Sequence, residues 1–211
     1  MDSRIVIFDM DGTLQDSSVT IANAINHVRG RLSLEPMPIS EIISGINDPS
    51  INPAEYFYET EHFEPIHEEW FSEYYSANHE RELRLYPGIE ELLKWLRDKG
   101  VRLAVATNAY RRSTIESLKH LGIYGYFDLI VCYDDVERGK PAPDMLLAIL
   151  HSAGVSASQA LFVGDGVKDR MASEAAGVEF VKAGWGYDGY EDALGSVDEL
   201  ADYIDEWMKR R

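Results

Sequence analysis

The stretch Arg4-Ile5-Val6-Ile7-Phe8-Asp9-Met10-Asp11-Gly12-Thr13-Leu14 decides how this chain is read. Its first half is an apolar, largely β-branched run, the pattern of a short strand buried on both faces. Its second half is a polar turn carrying two carboxylates. Working outward, strands and helices alternate from about residue 86. Pro87 and Gly88 open an amphipathic helix whose apolar positions Ile89, Leu92, Leu93 and Leu96 follow helical spacing, and Gly100 closes it. Residues 101–106 read as the next strand, 111–121 as a helix stopped by Gly122, and 129–132 as a third strand. A helix over about 143–153 is entered through Pro141 and Pro143 and ended by Gly154. Strands over 160–163 and 178–181 flank a helix near 168–176, and 197–208 is an amphipathic helix. Such alternation predicts an α/β fold, a doubly wound parallel sheet with helices on both faces.

The stretch 15–84 breaks the pattern. It shows no convincing strand, its aromatic residues (Tyr56, Phe57, Tyr58, Trp70, Phe71, Tyr74, Tyr75) fall in helical patches, and Pro36, Pro38, Pro49, Pro53 and Pro65 cut it into short helices. It is predicted to be a helical subdomain over 15–84, inserted into an α/β core made of 1–14 and 85–211.

Composition narrows the function classes. The 211 residues are 45% hydrophobic and 27% charged, an ordinary globular balance. Thirty-seven Asp+Glu against 20 Lys+Arg give a net charge of -17, the wrong sign for a nucleic-acid polymer or an anionic membrane. The lone Cys132 makes no internal disulfide and no cysteine-ligated zinc site. With no long apolar run and no signal-peptide layout, a soluble cytoplasmic protein, monomer or homodimer, is expected.

Polar groups collect where the predicted strands end. Asp9 and Asp11 follow the first, Thr107-Asn108 the second, Lys140 the third, and Asp165 with Asp169 the fourth. Ligands of open parallel sheets bind outside the carboxyl ends of the strands. Taken singly, Asp11-Gly12 and Asp165-Gly166 are ordinary turn signals, and Thr107-Asn108 is an ordinary helix entry. Together they bring four carboxylates, a lysine and a hydroxyl toward one crevice. Carboxylates so crowded call for a cation, and hard oxygen ligands favour Mg²⁺. Lys140 and Thr107 then suit a phosphoryl group.

Asp9-Met10-Asp11-Gly12-Thr13-Leu14, Thr107-Asn108, Lys140-Pro141 and Gly164-Asp165-Gly166-Val167-Lys168-Asp169 resemble, in order and spacing, the four motifs of the haloacid dehalogenase-like hydrolase superfamily. The resemblance covers essentially the whole chain and implies a Rossmann-like core, with 15–84 as a C1-type cap. Segments Val105-Ala106-Thr107-Asn108, Arg138-Gly139-Lys140-Pro141-Ala142-Pro143-Asp144 and Ala183-Gly184-Trp185-Gly186-Tyr187 resemble its phosphoglycolate phosphatase-like branch. The resemblance implies Asp9 as nucleophile, Asp11 as acid and base, and Lys140 as the neutralising cation. It implies Mg²⁺ held by Asp9, the Asp11 carbonyl and Asp165 with Asp169 in support. Gly12, Thr107, Asn108 and Lys140 would hold the substrate phosphate. Gly166 stands where many relatives carry Ser or Thr, and Ala109 where a lysine is frequent.

Among the reactions that superfamily hosts, Asp11 argues against dehalogenation, which needs no acid. A cap without lysine excludes a Schiff-base phosphonatase. Hydrolysis of a small phosphorylated metabolite is the expected reaction. A phosphotransferase or phosphoglucomutase-like enzyme, or a binding module that kept the fold, are the alternatives. Between 15 and 83 stand 13 Asp+Glu and three Arg, which points to a sugar phosphate, polyol phosphate or nucleoside monophosphate rather than a strongly anionic ester.

Overall fold

A computed structural model describes residues 4–48, 50–186 and 192–210; Pro49 and Tyr187, quoted above, lie outside the described residues. The chain forms two compact units, Met1–Asp16 with Leu85–Arg211, and Ser17–Arg84.

The first unit is built on a five-stranded parallel sheet. Its strands are β1 (Ile5–Phe8), β4 (Arg102–Ala106), β5 (Leu129–Val131), β6 (Ala160–Gly164) and β7 (Glu179–Lys182), in the order β5-β4-β1-β6-β7. β1 lies in the centre, with Phe8 level with Val105 on one side and Val163 on the other. All four β1 residues are fully buried, because alternate side chains serve two cores. Val6 and Phe8 join Leu103, Val105, Leu161 and Val163 under α5 (Ile89–Asp98), α6 (Arg111–His120) and α9 (Val197–Lys209). Ile5 and Ile7 join Ala104, Ala106 and Phe162 under α7 (Asp144–Ala153) and α8 (Val167–Ala176). The order changes direction at β1, so the ends of β1, β4 and β6 open on one crevice.

The second unit is helical: α1 (Ser18–Arg31), α2 (Ile39–Asn47), α3 (Pro53–Tyr58) and α4 (Pro65–Glu82). Ala22, Ile25 and Val28 of α1 pack with Ile42, Phe57 and Tyr58 in a separate small core. Two features depart from the sequence reading. Two-residue strands, β2 (Gln15–Asp16) and β3 (Arg84–Leu85), pair with one another where no strand was expected. Gln15 and Asp16 also fall with the first unit, since the Gln15 N–H donates to the Met10 carbonyl and its own carbonyl accepts from the Gly12 N–H. Those two bonds hold Gln15 on the loop that leaves β1. No described helix is long and apolar enough to cross a membrane.

Candidate active site

Each site residue is placed by the sheet. Asp9 is the first residue beyond β1, and its N–H donates to the Val163 carbonyl at 2.8 Å, tying it to β6. Asp165 follows the last residue of β6, and Asp169 stands in the first turn of α8. Thr107 and Asn108 follow β4, with the Thr107 N–H bonded to the Val131 carbonyl of β5.

Lys140 is held by its backbone before its side chain is used. Its N–H donates to Asn108 Oδ1 at 2.8 Å, and its carbonyl accepts from Asn108 Nδ2 at 2.9 Å. From there Lys140 Nζ reaches Asp9 Oδ1 and Asp169 Oδ1, both at 2.6 Å. A lysine in sequence is ordinarily a solvated charge; this side chain is only 3% exposed. Asp169 is fixed at its other oxygen too, where Oδ2 accepts from the Gly166 N–H at 3.0 Å. Carboxylate oxygens of Asp9, Asp165 and Asp169 lie within 4.8 Å of one another.

The electrostatics follow from that crowding. Burial pushes the Asp9 carboxyl up to about 7, against the pull of Lys140 and with the push of Asp169. Burial, then Asp9 and Asp169, raise Asp165 well above the usual carboxylate range. Burial alone would depress the Lys140 ammonium, but Asp169 and Asp9 outweigh it and raise it. Three ionised carboxylates against one ammonium leave a formal charge of −2 (−3 + 1) in a buried space. Oxygen-only donors with that charge fit a divalent hard cation such as Mg²⁺.

Asp11 stands apart from the three. Its Oδ1 accepts from Gln15 Nε2 at 2.8 Å. Gly12 takes a left-handed φ of +81°, which lets the loop turn back on itself. Two other glycines are required by close approach. A Cβ on Gly164 would sit 2.7 Å from the Asp169 carboxyl group, and one on Gly186 would fall on the Gly12 carbonyl. Trp185 Nε1 donates to the Thr13 carbonyl at 3.0 Å, bracing the same loop from a distant part of the chain.

The structure therefore brings Asp9, Lys140, Asp165 and Asp169 together, with Asn108 behind Lys140. The Asn108 amide, expected on the phosphate, has both its atoms on the Lys140 backbone. The Thr107 hydroxyl accepts from the Ala109 N–H at 3.1 Å, an N-cap-like bond that leaves its proton available for donation. Sequence reasoning missed Gln15, and it placed Trp185 in a segment that resembles the phosphatase-like branch without giving it a role. Gln15 carries no motif signal of its own, and Trp185 is 172 positions from the residue it braces. Arg111, two positions beyond Ala109, does not stand in for the lysine frequent there. Its guanidinium holds Asp135 and the Ile130 carbonyl.

Sheet order, crevice and acid cluster make this an α/β protein whose strand ends carry a site suited to a hard divalent cation. Residues 6–183 match the family model described as haloacid dehalogenase-like hydrolase. A phosphoglycolate phosphatase of Pseudomonas fluorescens is 34% identical, with 87% of this chain and 70% of that protein covered. One of Agrobacterium fabrum is 31% identical over 88% of this chain and 82% of that protein. Among solved structures, a predicted phosphoglycolate phosphatase of Haemophilus somnus superposes with a TM-score of 0.83 at 26% identity, covering 98% of each chain. The chain belongs to the haloacid dehalogenase-like hydrolase family, and within it to the phosphatases.

Proposed function

We propose that the chain hydrolyses a small phosphomonoester with Mg²⁺, through an aspartyl-phosphate on Asp9. The observation that carries this reading is Lys140 Nζ at 2.6 Å from both Asp9 and Asp169. A carboxylate so held is oriented, and part of its charge is offset as it approaches an anionic phosphoryl group. Asp9 attacks phosphorus, and the ester oxygen leaves with a proton from Asp11. Asp11 then takes a proton from the water that attacks the aspartyl-phosphate, which frees Asp9 and phosphate. The Thr107 hydroxyl and N–H groups of the loop ahead of Gly12 hold phosphoryl oxygens, the Gly12 N–H itself being spent on the Gln15 carbonyl. Asp9, Asp165 and the Asp11 carbonyl would hold Mg²⁺, with Asp169 in support. When bound, the metal offsets carboxylate and phosphoryl charge and orients the group for transfer.

The relatives are named for phosphoglycolate, an ester with a carboxylate on its leaving group. Three features support a leaving group without that charge. Ala109 supplies no cation, and Arg111 is spent on Asp135. In the second unit, Arg29 donates to the Glu35 and Phe57 carbonyls, Arg31 pairs with Glu73, and Arg81 with Asn78 and Glu82. A sugar phosphate, polyol phosphate or nucleoside monophosphate is therefore favoured.

The test is phosphate release from a broad panel of monoesters, with and without Mg²⁺, beside Asp9→Asn. Metal-dependent release that the substitution abolishes, strongest on esters with uncharged leaving groups, is expected. No release from any ester by folded protein would sink the reading.

A further inference from the structure

Two tyrosines stand exposed beyond the ends of neighbouring strands. Tyr133, on the loop after β5, is 46% exposed, and Tyr110, at the entry to α6 after β4, is 43% exposed. Their rings meet edge to face, with centroids 5.6 Å apart and planes at 63°. So much aromatic surface left in water costs free energy that a flat bound group would recover. The loops that build the crevice hold the pair in place. The Tyr133 N–H donates to the Ala109 carbonyl at 3.1 Å, and Asp134 Oδ1 accepts from the Arg111 N–H at 2.8 Å. Those two bonds lace the β5 loop to the β4 loop on either side of Tyr110. Tyr133 also closes on the loop that carries Lys140. A Cβ on Gly139 would lie 2.7 Å from a Tyr133 ring carbon and 2.7 Å from Asn108 Oδ1, so glycine is required there. Tyr110 in turn stands three residues beyond Thr107, a span of at most about 10 Å. The rings thus adjoin, through one loop each, the residues given above to the nucleophile and to the phosphoryl group.

We propose that Tyr133 and Tyr110 form a stacking platform for the leaving group, and that this group carries the base of a nucleoside monophosphate. The inference rests on the phosphatase reading and narrows it. Of the leaving groups left open above, a polyol has no flat face and a sugar ring is puckered. A nucleobase presents a planar π-face, and its ribose supplies the spacer between phosphorus and ring. Charge favours the same choice. Asp134, Asp135 and Glu137 are exposed on the loop that carries Tyr133, and the arginines beside them, Arg111 and Arg138, are paired with Asp135 and Asp144. A carboxylated leaving group meets like charge there, and a neutral base does not. Stacking uses the ring faces and needs neither hydroxyl.

The full chain with Mg²⁺ is assayed on the 5′-monophosphates of adenosine, guanosine, cytidine and uridine, and on ribose 5-phosphate, the same ester without a base. The wild-type chain is expected to prefer the best nucleotide over ribose 5-phosphate by about 10- to 100-fold in kcat/KM. Tyr133→Ala and Tyr110→Ala are each expected to lower kcat/KM on that nucleotide about 5- to 50-fold and to leave ribose 5-phosphate within about twofold. Tyr133→Phe and Tyr110→Phe keep the ring face and are expected to stay within about threefold on both. The ratio of the two substrates does not depend on what fraction of a variant is folded, so poor folding does not obscure it. Equal loss on both substrates would overturn the proposal and leave the rings as braces of their loops. A tyrosine whose removal costs nothing on the nucleotide is not part of the platform, and loss on replacement by Phe would contradict stacking. Phosphate released from ribose 5-phosphate or another monoester, with no preference for any nucleotide, would also overturn it and leave the phosphatase reading standing. A folded chain that binds Mg²⁺ yet releases phosphate from no ester would overturn the phosphatase reading itself, and this assignment with it.

Discussion

Asp9 keeps its proton up to about 7 in the folded chain, whereas an aspartate in the unfolded chain releases it near its ordinary 3.8. Between those values the folded state binds the extra proton, so metal-free stability falls as pH rises from about 4 to about 7. Asp165, raised for the same reason, adds to the slope. A divalent cation needs the carboxylates ionised, so Mg²⁺ is expected to flatten it. Urea midpoints at about pH 5 and about pH 8, in chelator and in Mg²⁺, check this; a metal-free midpoint that rises with pH would contradict it. Gly164 tests the same cluster by shape. Its missing Cβ is space taken by Asp169, whose two oxygens are pinned by Gly166 and Lys140 and have nowhere to move. Gly164→Ala is therefore expected to cost about 1–3 kcal/mol in urea unfolding and to weaken Mg²⁺ binding by calorimetry. Normal metal affinity in that variant would mean that Asp169 lies outside the metal's reach. The members of this cluster were legible in the sequence because Asp9, Lys140, Asp165 and Asp169 each follow a strand end. What was not legible is how they are held. The Asn108 clamp on the Lys140 backbone and the Gln15 bond to Asp11 are contacts of geometry, with no periodic pattern to announce them.

At the scale of elements, a residue type predicts a cap only where the backbone lets it reach. Ser196 precedes α9, and its Oγ accepts from the Glu199 N–H at 3.2 Å. Ser17 precedes α1 in the same sequence position, but at φ -112° and ψ 6° it makes no side-chain cap bond, and its Oγ is buried with no hydrogen-bond partner among the described residues. Ser196→Ala is thus expected to cost about 1 kcal/mol. Ser17→Ala is expected to be neutral or stabilising within about 0.5 kcal/mol, because it removes an unsatisfied buried hydroxyl. Chemical denaturation of the two variants side by side decides; equal costs would refute the distinction. The stripes of α5 and α9 were readable because each buries one face: Ile89, Leu92, Leu93 and Leu96, then Val197, Leu200, Ile204 and Trp207. Strands β1, β4 and β6 were readable as apolar runs. α4 was readable as a helical patch but not by its buried face, since its buried side chains are His67, Tyr75 and His79 while Phe63 before it and Ile66 within it are exposed. Polarity there does not track burial: His67 caps its own helix by accepting from the Glu64 N–H, and His79 stacks on Tyr75. Strands β2 and β3, two residues each, are too short to show any period.

For the whole molecule the dominant fact is a net charge of -17. A phosphomonoester is a dianion near neutral pH, so the long-range field opposes its approach, and only the local cations around the crevice favour it. At the crevice Lys140 already lies between two carboxylates, and Arg111 of the same unit is bonded to Asp135. Salt screens exposed charges beyond about 8–10 Å and leaves short buried contacts almost untouched. Added salt should therefore relieve the repulsion without loosening the site. With Mg²⁺ saturating, kcat/KM is expected to rise about two- to fivefold from about 10 mM to about 150 mM salt. The rise should be steeper for a carboxylated ester than for a polyol phosphate, because the extra charge meets the same field. Steady-state kinetics on one ester of each kind across that range supply the measurement. A fall with salt would mean that a local positive field governs encounter, and it would remove the electrostatic reason for preferring an uncharged leaving group.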